Sequence, residues 1–251
     1  MNLFLHGASD FNVMQGDTLR DPKILQGGTV AQFDCVIANP PFSLKKWGET
    51  EWRNDKYGRN IWGTPSDKVG ADFAWIQHMV KSMKMGTGRM AVVMPQGVLF
   101  RGNEEGEIRK KMVQTDMLEA VITLGEKLFF GTGLSPCILI FRRHKPQEHS
   151  ARILMIDASK ILTIKRAQNE LSPENVETIY QHYIDYTDKE DVSRVVTLDD
   201  IAAKDFLLAP NRYIQYHQEE QESYESAKFH FTAAVKAVRE AEETFNLLMK
   251  Q

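Results

Sequence analysis

Two consecutive prolines constrain this chain more than any other feature. They stand in Asn39-Pro40-Pro41-Phe42, directly after the mostly apolar run 33–38 (FDCVIA). Proline lacks the N–H that a central ladder needs and biases the residue before it away from helix, so a strand here must stop and turn outward. A run this apolar reads as a strand buried in a parallel sheet. Ligands of open α/β sheets bind at the carboxyl edge of such strands, which makes residues 39–42 the first place to look for chemistry.

The rest of the chain supports a sheet of this kind. Met1–His6 is a short apolar piece, 12–15 reads as a strand, and 20–31, with Pro22 and Gly27-Gly28, reads as loop. A long aromatic-studded stretch, 43–70, follows the prolines; loops of that length in compact domains are functional or disordered. Asp72 is placed to cap a helix whose Phe73, Ile76, Val80 and Met83 recur at helical spacing. Next come a strand over 90–94 ending in Pro95-Gln96-Gly97, a charged helix over 104–116, and strands over 118–124 and 137–141. Strand, helix and strand at these intervals suit right-handed parallel crossovers. The spacing predicts an α/β sheet over residues 1–145. Residues 146–215 read as a small α/β extension with strands at 153–156 and 194–197. Its helix starts at Pro173 and runs to about Tyr186, and Asp199 or Asp200 caps a shorter one. From 216 to 251 the chain reads as one helix. Tyr224, Ala227, Phe231, Ala234, Val238, Ala241, Phe245 and Leu248 alternate spacings of three and four, the seam of a coiled coil or of a long helix packed on its own domain.

Composition excludes several classes. No apolar run approaches the roughly 18 residues of a membrane span, and the amino terminus lacks the basic-then-apolar pattern of a secretory signal. Cys35 and Cys137 are the only cysteines, too few for a disulfide scaffold, and the seven histidines are scattered, so no metal site is expected. The net charge of −3 divides into +3 over residues 1–150 and −6 over the remainder. Phosphates respond to the local field of a face, so an acidic total does not exclude nucleic acid.

Asn39 and Pro40 offer two rigidly held oxygens, suited to accept the two N–H groups of a planar exocyclic amine. Phe42 is placed to stack on the ring that carries it. The alternative is an asparagine that caps a turn beside prolines that merely end a strand. Residues 44–60, with Trp47, Trp52 and Tyr57 among basic side chains, suit a flap facing nucleic acid or a loop whose tryptophans fold back onto the protein.

Asn39-Pro-Pro-Phe42 after an apolar strand resembles the catalytic motif of amino-group DNA methyltransferases, the N6-adenine group in particular. Met1–Gly7, Gly16-Asp-Thr-Leu19, Ala71–Met79, Met94–Arg101, Glu107–Lys111, Leu128–Gly133, Ile156-Asp-Ala-Ser159 and Asn211-Arg-Tyr213 extend the likeness. In that order they are similar to the modification (M) subunit of type I restriction–modification systems, over nearly the whole chain.

The resemblance implies a cytoplasmic, prokaryotic protein. It implies transfer of a methyl group from S-adenosyl-L-methionine to the N6 of an adenine flipped out of double-stranded DNA. Asn39, Pro40, Pro41 and Phe42 then form the catalytic motif. Asp17 lies near the adenine of the donor, Phe129 or Phe130 near the flipped base, and Pro95 and Gln96 at the pocket's rim. Implied partners are a DNA-specificity subunit, a restriction subunit and an amino-terminal methyltransferase fragment.

One departure stands out. The family's early strand and glycine-rich donor loop have no counterpart here, so the resemblance is to the family's carboxyl-terminal part. The expected fold is a partial Rossmann-like methyltransferase sheet without its first strand, then a small mixed region and a long carboxyl-terminal helix. Such a chain is expected to be inactive alone. The competing readings are a catalytically silent assembly or DNA-binding module, and a methyltransferase of another amino group.

Overall fold

The computed structural model describes residues 2–129, 133–217 and 224–248. Residues 1–215 form one compact unit and 216–251 a second. In chain order the first unit contains α1 (Asn2–Leu5), β1 (Leu25–Gln26), β2 (Thr29–Val30), β3 (Cys35–Ala38), α2 (Glu49–Arg53), α3 (Asp72–Lys81) and β4 (Arg89–Pro95). It continues with α4 (Asn103–Gln114), β5 (Leu118–Leu124), β6 (Pro136–Arg142), β7 (Arg152–Ala158), α5 (Pro173–Asp185), β8 (Ser193–Thr197) and α6 (Leu198–Ala202).

Six of the strands make one sheet in the order β3-β4-β6-β5-β7-β8. β3 pairs parallel to β4 and β5 parallel to β7, while β6 runs antiparallel between β4 and β5 and β8 antiparallel on β7. The sheet is therefore mixed rather than parallel throughout. The chain from β5 to β6 is too short for a helical crossover, so β6 returns beside β5 in the opposite sense. β7 and β8 extend this same sheet, so residues 146–215 continue the first region. β5 is buried along its whole length, as a central strand covered on both faces must be.

Helices cover the sheet unevenly. Phe73, Ile76 and Val80 of α3, Ile108 and Met112 of α4 and Ile201 of α6 pack with Met90, Val92 and Leu139 on one face. Ile179 of α5 packs with Ile122, Leu154 and Ile156 on the other. α5 begins at a capping box in which Ser172 and Asn175 satisfy each other's backbone N–H groups, with Pro173 at its first turn. Thr197, not Asp199 or Asp200, caps α6; Asp200 completes the box by accepting from the Thr197 N–H.

The amino-terminal region departs furthest from expectation. Residues 12–15 form no strand, because no strand among the described residues lies alongside to pair with them. Residues 20–31 are not all loop: Gly27 and Gly28, both at positive φ, turn a short hairpin between β1 and β2. β3 is an edge strand rather than a buried one. Its free edge has no partner among the described residues, and Ile37 is 77% exposed.

In the second unit α7 (Tyr224–Leu248) is a single helix on which Phe231, Ala234, Val238, Ala241 and Phe245 are exposed. The side chains of Tyr224, Ala227 and Leu248, which complete the expected seam, lie outside the described residues.

Candidate functional site

β3 ends at Ala38 and delivers Asn39 to the carboxyl edge of the sheet, as the double proline requires. Asn39, Pro40, Pro41 and Phe42 line a cleft of about 420 Å³ whose opposite wall is Phe129 and Leu134. Phe42 and Phe129 meet edge to face, with ring centroids 6.2 Å apart and planes at 79°. Among the described residues no ionisable side chain lines this cleft. Asn39 contributes the carboxamide to a described lining that is otherwise proline, phenylalanine and leucine. Phe129 is therefore the aromatic brought to residues 39–42; Phe130, its alternative, lies outside the described residues.

The backbone leaving Phe42 is pinned by residues the sequence reading used otherwise. Asp72 does not cap α3; Ala71 occupies that position, and the Asp72 carboxylate turns inward, fully buried. Its Oδ1 accepts from the Ser43 N–H at 2.7 Å, and its Oδ2 accepts from Arg101 at 2.5 Å. Arg101 also donates to Glu105 at 2.6 Å. Burial pulls the Arg101 pKa down, but the two carboxylates outweigh it and the net direction is up; Glu105 is raised by its own burial. Gly70 completes the clamp. It holds a φ of +118°, and a Cβ there would lie 2.6 Å from the Ser43 carbonyl carbon.

Asp17 sits in a turn of its own making. Its Oδ1 accepts from the N–H groups of Leu19 at 3.1 Å and Arg20 at 3.0 Å, and its Oδ2 faces the Arg20 guanidinium at 3.4 Å. The turn is held from behind by Arg59, which donates to the carbonyls of Thr18 at 2.8 Å and Leu19 at 2.7 Å. Arg59 also pairs with Asp55 at 2.6 Å and lies over the rings of Trp52 and Tyr57. A further Arg59 N–H points at His78 Nδ1, 3.2 Å away. Since guanidinium only donates, that nitrogen accepts and the ring proton is on Nε2. Burial first, and the Arg59 charge second, lower the His78 pKa to about 4.

The stretch 43–70 is not a flap. Trp47 and Trp52, expected on a DNA-facing surface, are each 2% exposed and meet edge to face beside Leu19, Ala71 and Ala74. Large aromatic surfaces gain more from this packing than from water, which is the fold-back alternative. Sequence reasoning missed Arg59, Asp55, His78, Arg101 and the inward turn of Asp72. The one available signal was a lone arginine amid aromatic residues, and spacing alone does not reveal that it is buried.

The family model described as N-6 DNA Methylase matches residues 1–222. The type I restriction enzyme MjaVII methylase subunit of Methanocaldococcus jannaschii is 35% identical over 239 residues, covering 91% of this chain and 40% of that protein. The HindI methylase subunit of Haemophilus influenzae is 29% identical over 231 residues, covering 88% and 50%. Among solved structures, the type I restriction–modification methyltransferase subunit of Streptococcus thermophilus superposes with a TM-score of 0.76 at 31% identity. That superposition covers 85% of this chain and 45% of the other. This chain thus spans half or less of the length of each.

Proposed function

The chain belongs to the N-6 DNA methylase family, and from that premise we propose that it forms the target-base half of an adenine-N6 DNA methyltransferase site in a type I restriction–modification complex. The observation that carries this reading is the cleft at the end of β3, which Asn39 and Pro40 line together with Phe42 and Phe129. A flat heterocycle bearing an amino group fits that set. The Asn39 carboxamide oxygen and the Pro40 carbonyl each accept one N–H of the amine, which draws its lone pair out of conjugation and directs it away from the two acceptors. Positive charge develops on the nitrogen as it reacts, and the same two oxygens stabilise it without reorganising. Phe42 and Phe129 hold the ring. Asp72 and Arg101 touch no substrate; they keep the backbone at Ser43, and so Phe42, in place.

We read the described residues as part of a site for S-adenosylmethionine rather than the whole of it. The half-exposed Asp17 carboxylate keeps acceptor capacity beyond its turn and Arg20, but among the described residues no carboxylate lines the Asn39 cleft to receive ribose hydroxyls. We assign donor binding to a further segment that pairs with the open edge of β3, where Ile37 offers exposed apolar surface. Specificity and restriction subunits are the expected partners, with the apolar face of α7 as the docking element for the first. The second reading, a silent assembly module, is favoured by that same open edge.

The test is methyl transfer to DNA by the complex assembled with the segments absent from this chain. Asn39→Ala there should abolish transfer and leave DNA affinity within about twofold. Wild-type activity in that variant refutes the assignment.

A further inference from the structure

A second cleft lies on the same carboxyl edge of the sheet. Leu134 lines the Asn39 cleft and the next residue, Ser135, lines this one, so a single segment of chain separates the two. Its volume is about 480 Å³. Three stretches distant in sequence meet around it: Gln96 and Phe100 after β4, Asp157 and Ser159 at the end of β7, and Asn211 with Arg212. Gln96, expected at the rim of the target-base pocket, lines this cleft instead, and the chemistry at Asn39 gives the other two stretches no role.

The walls of this cleft are braced from behind. The Leu208 N–H donates to the Leu99 carbonyl at 2.9 Å, and buried Arg109 donates to the carbonyls of Phe206 at 2.8 Å and Arg101 at 2.6 Å. Asp157 Oδ1 accepts from the Thr123 hydroxyl at 3.1 Å and the Ser159 N–H at 3.0 Å. Phe100 is nonetheless 53% exposed, an aromatic face displayed on a fixed rim. The lining narrows the ligand. A carboxylate disfavours a bare anion, and two carboxamides disfavour an apolar guest. Among the described residues no group of three or more ligating side chains is placed to hold a metal ion. Carboxamides match the hydrogen-bonding edge of a base, an exposed ring matches its face, and one guanidinium matches one phosphate.

We infer that this cleft binds a single nucleotide, the one adjoining the target base in the same DNA strand. Its base lies on Phe100, its edge meets Gln96 and Asn211, and its phosphate meets Arg212. The two clefts adjoin across Leu134–Ser135, as sites for successive nucleotides of one strand must. The inference rests on reading the Asn39 cleft as the target-base site.

The test uses the purified chain and short single-stranded oligonucleotides with one adenine. One carries 8-azidoadenine at that position and another 5-iododeoxyuridine beside it; after irradiation, attachment sites are mapped by mass spectrometry. The azidoadenine should attach within 39–42 or at Phe129, and the iododeoxyuridine at Phe100. Phe100→Leu should weaken binding roughly tenfold. Arg212→Gln should reduce the salt dependence of log K by about 0.7. Iododeoxyuridine attached only at Phe42 or Phe129, or unchanged affinity and salt dependence in both variants, overturns the second cleft and leaves the first standing. Azidoadenine that reaches neither 39–42 nor Phe129 instead refutes the target-base reading.

Discussion

Replacing Arg59 by methionine should release the amino-terminal region from the sheet. The side chains of Arg59 and Asp55 are 1% and 4% exposed, so the substitution leaves a buried carboxylate without its cation. One-sided removal from a buried pair costs about 3–5 kcal/mol. The carbonyls of Thr18 and Leu19 lose their donors as well, adding about 1 kcal/mol or more each if they stay dry. The sum approaches the roughly 5–15 kcal/mol that holds a whole domain together, so the segment around 17–70 should open before the sheet does. The assay follows from where the fluorophores lie. All four tryptophans, Trp47, Trp52, Trp62 and Trp75, belong to this region or to α3, whereas β4 to β8 and most of the described helices lie elsewhere. In urea, wild-type fluorescence and far-ultraviolet circular dichroism should change together. In Arg59→Met the fluorescence midpoint should fall by about 3 M, taking a urea slope near 2 kcal/mol/M, while the dichroism midpoint falls less. Removing both charges, in Asp55→Leu with Arg59→Met, should recover much of the loss because no lone buried charge remains. Coincident and unshifted midpoints in Arg59→Met would refute the claim that this arginine ties the region down.

His78 provides a pH signature. Its native pKa of about 4 lies below the unfolded value of 6.5, so between these values the unfolded chain binds more protons. The associated stability, about 3 kcal/mol, is fully present above pH 6.5 and lost as pH falls toward 4. His78→Asn should flatten that part of the stability profile, and an unchanged slope would count against burial as the cause. Gly70→Ala should destabilise by at least about 1–3 kcal/mol, because its φ of +118° is strained for an L residue and its Cβ meets the Ser43 backbone; an unchanged melting temperature contradicts the clamp. Asp72→Asn should lose about 1.5–3 kcal/mol in urea by removing the charge that Arg101 meets. In the assembled complex it should lower kcat more than it raises KM, since it disturbs positioning rather than binding, and a pure KM effect would count against that role.

The legible part of this fold was its central sheet. β5 and β6 declare themselves by mostly apolar runs, and α5 by Pro173 at its first turn, because local propensity and burial agree there. The double proline likewise placed Asn39 at a strand end. Strand direction was not legible. Nothing in Cys137–Phe141 distinguishes a parallel from an antiparallel neighbour, and only the short connection from β5 hinted at the reversal. The aromatic stretch 43–70 was misread for a different reason. Tryptophans beside lysines describe a DNA-facing surface and a folded-back core equally well, and the deciding contact, Arg59 to the 17–20 turn, spans some forty residues. The same holds for Asp72, whose position at a helix start suggested a cap until Arg101 and Ser43 claimed its oxygens. At β3 the apolar run predicted burial that the described residues do not supply, and that mismatch points to a further strand on this edge.

The central claim is that this chain holds the target-base half of the site and that a strand seated on β3 completes the donor half. Calorimetric titration of S-adenosylmethionine tests it most directly, first into the chain alone and then into the chain mixed with the amino-terminal segment of a full-length type I methylase subunit. The account predicts no heat of binding in the first titration and saturable binding at one site in the second. Micromolar binding to the chain alone, or none after the mixture has formed a stable complex, would contradict it.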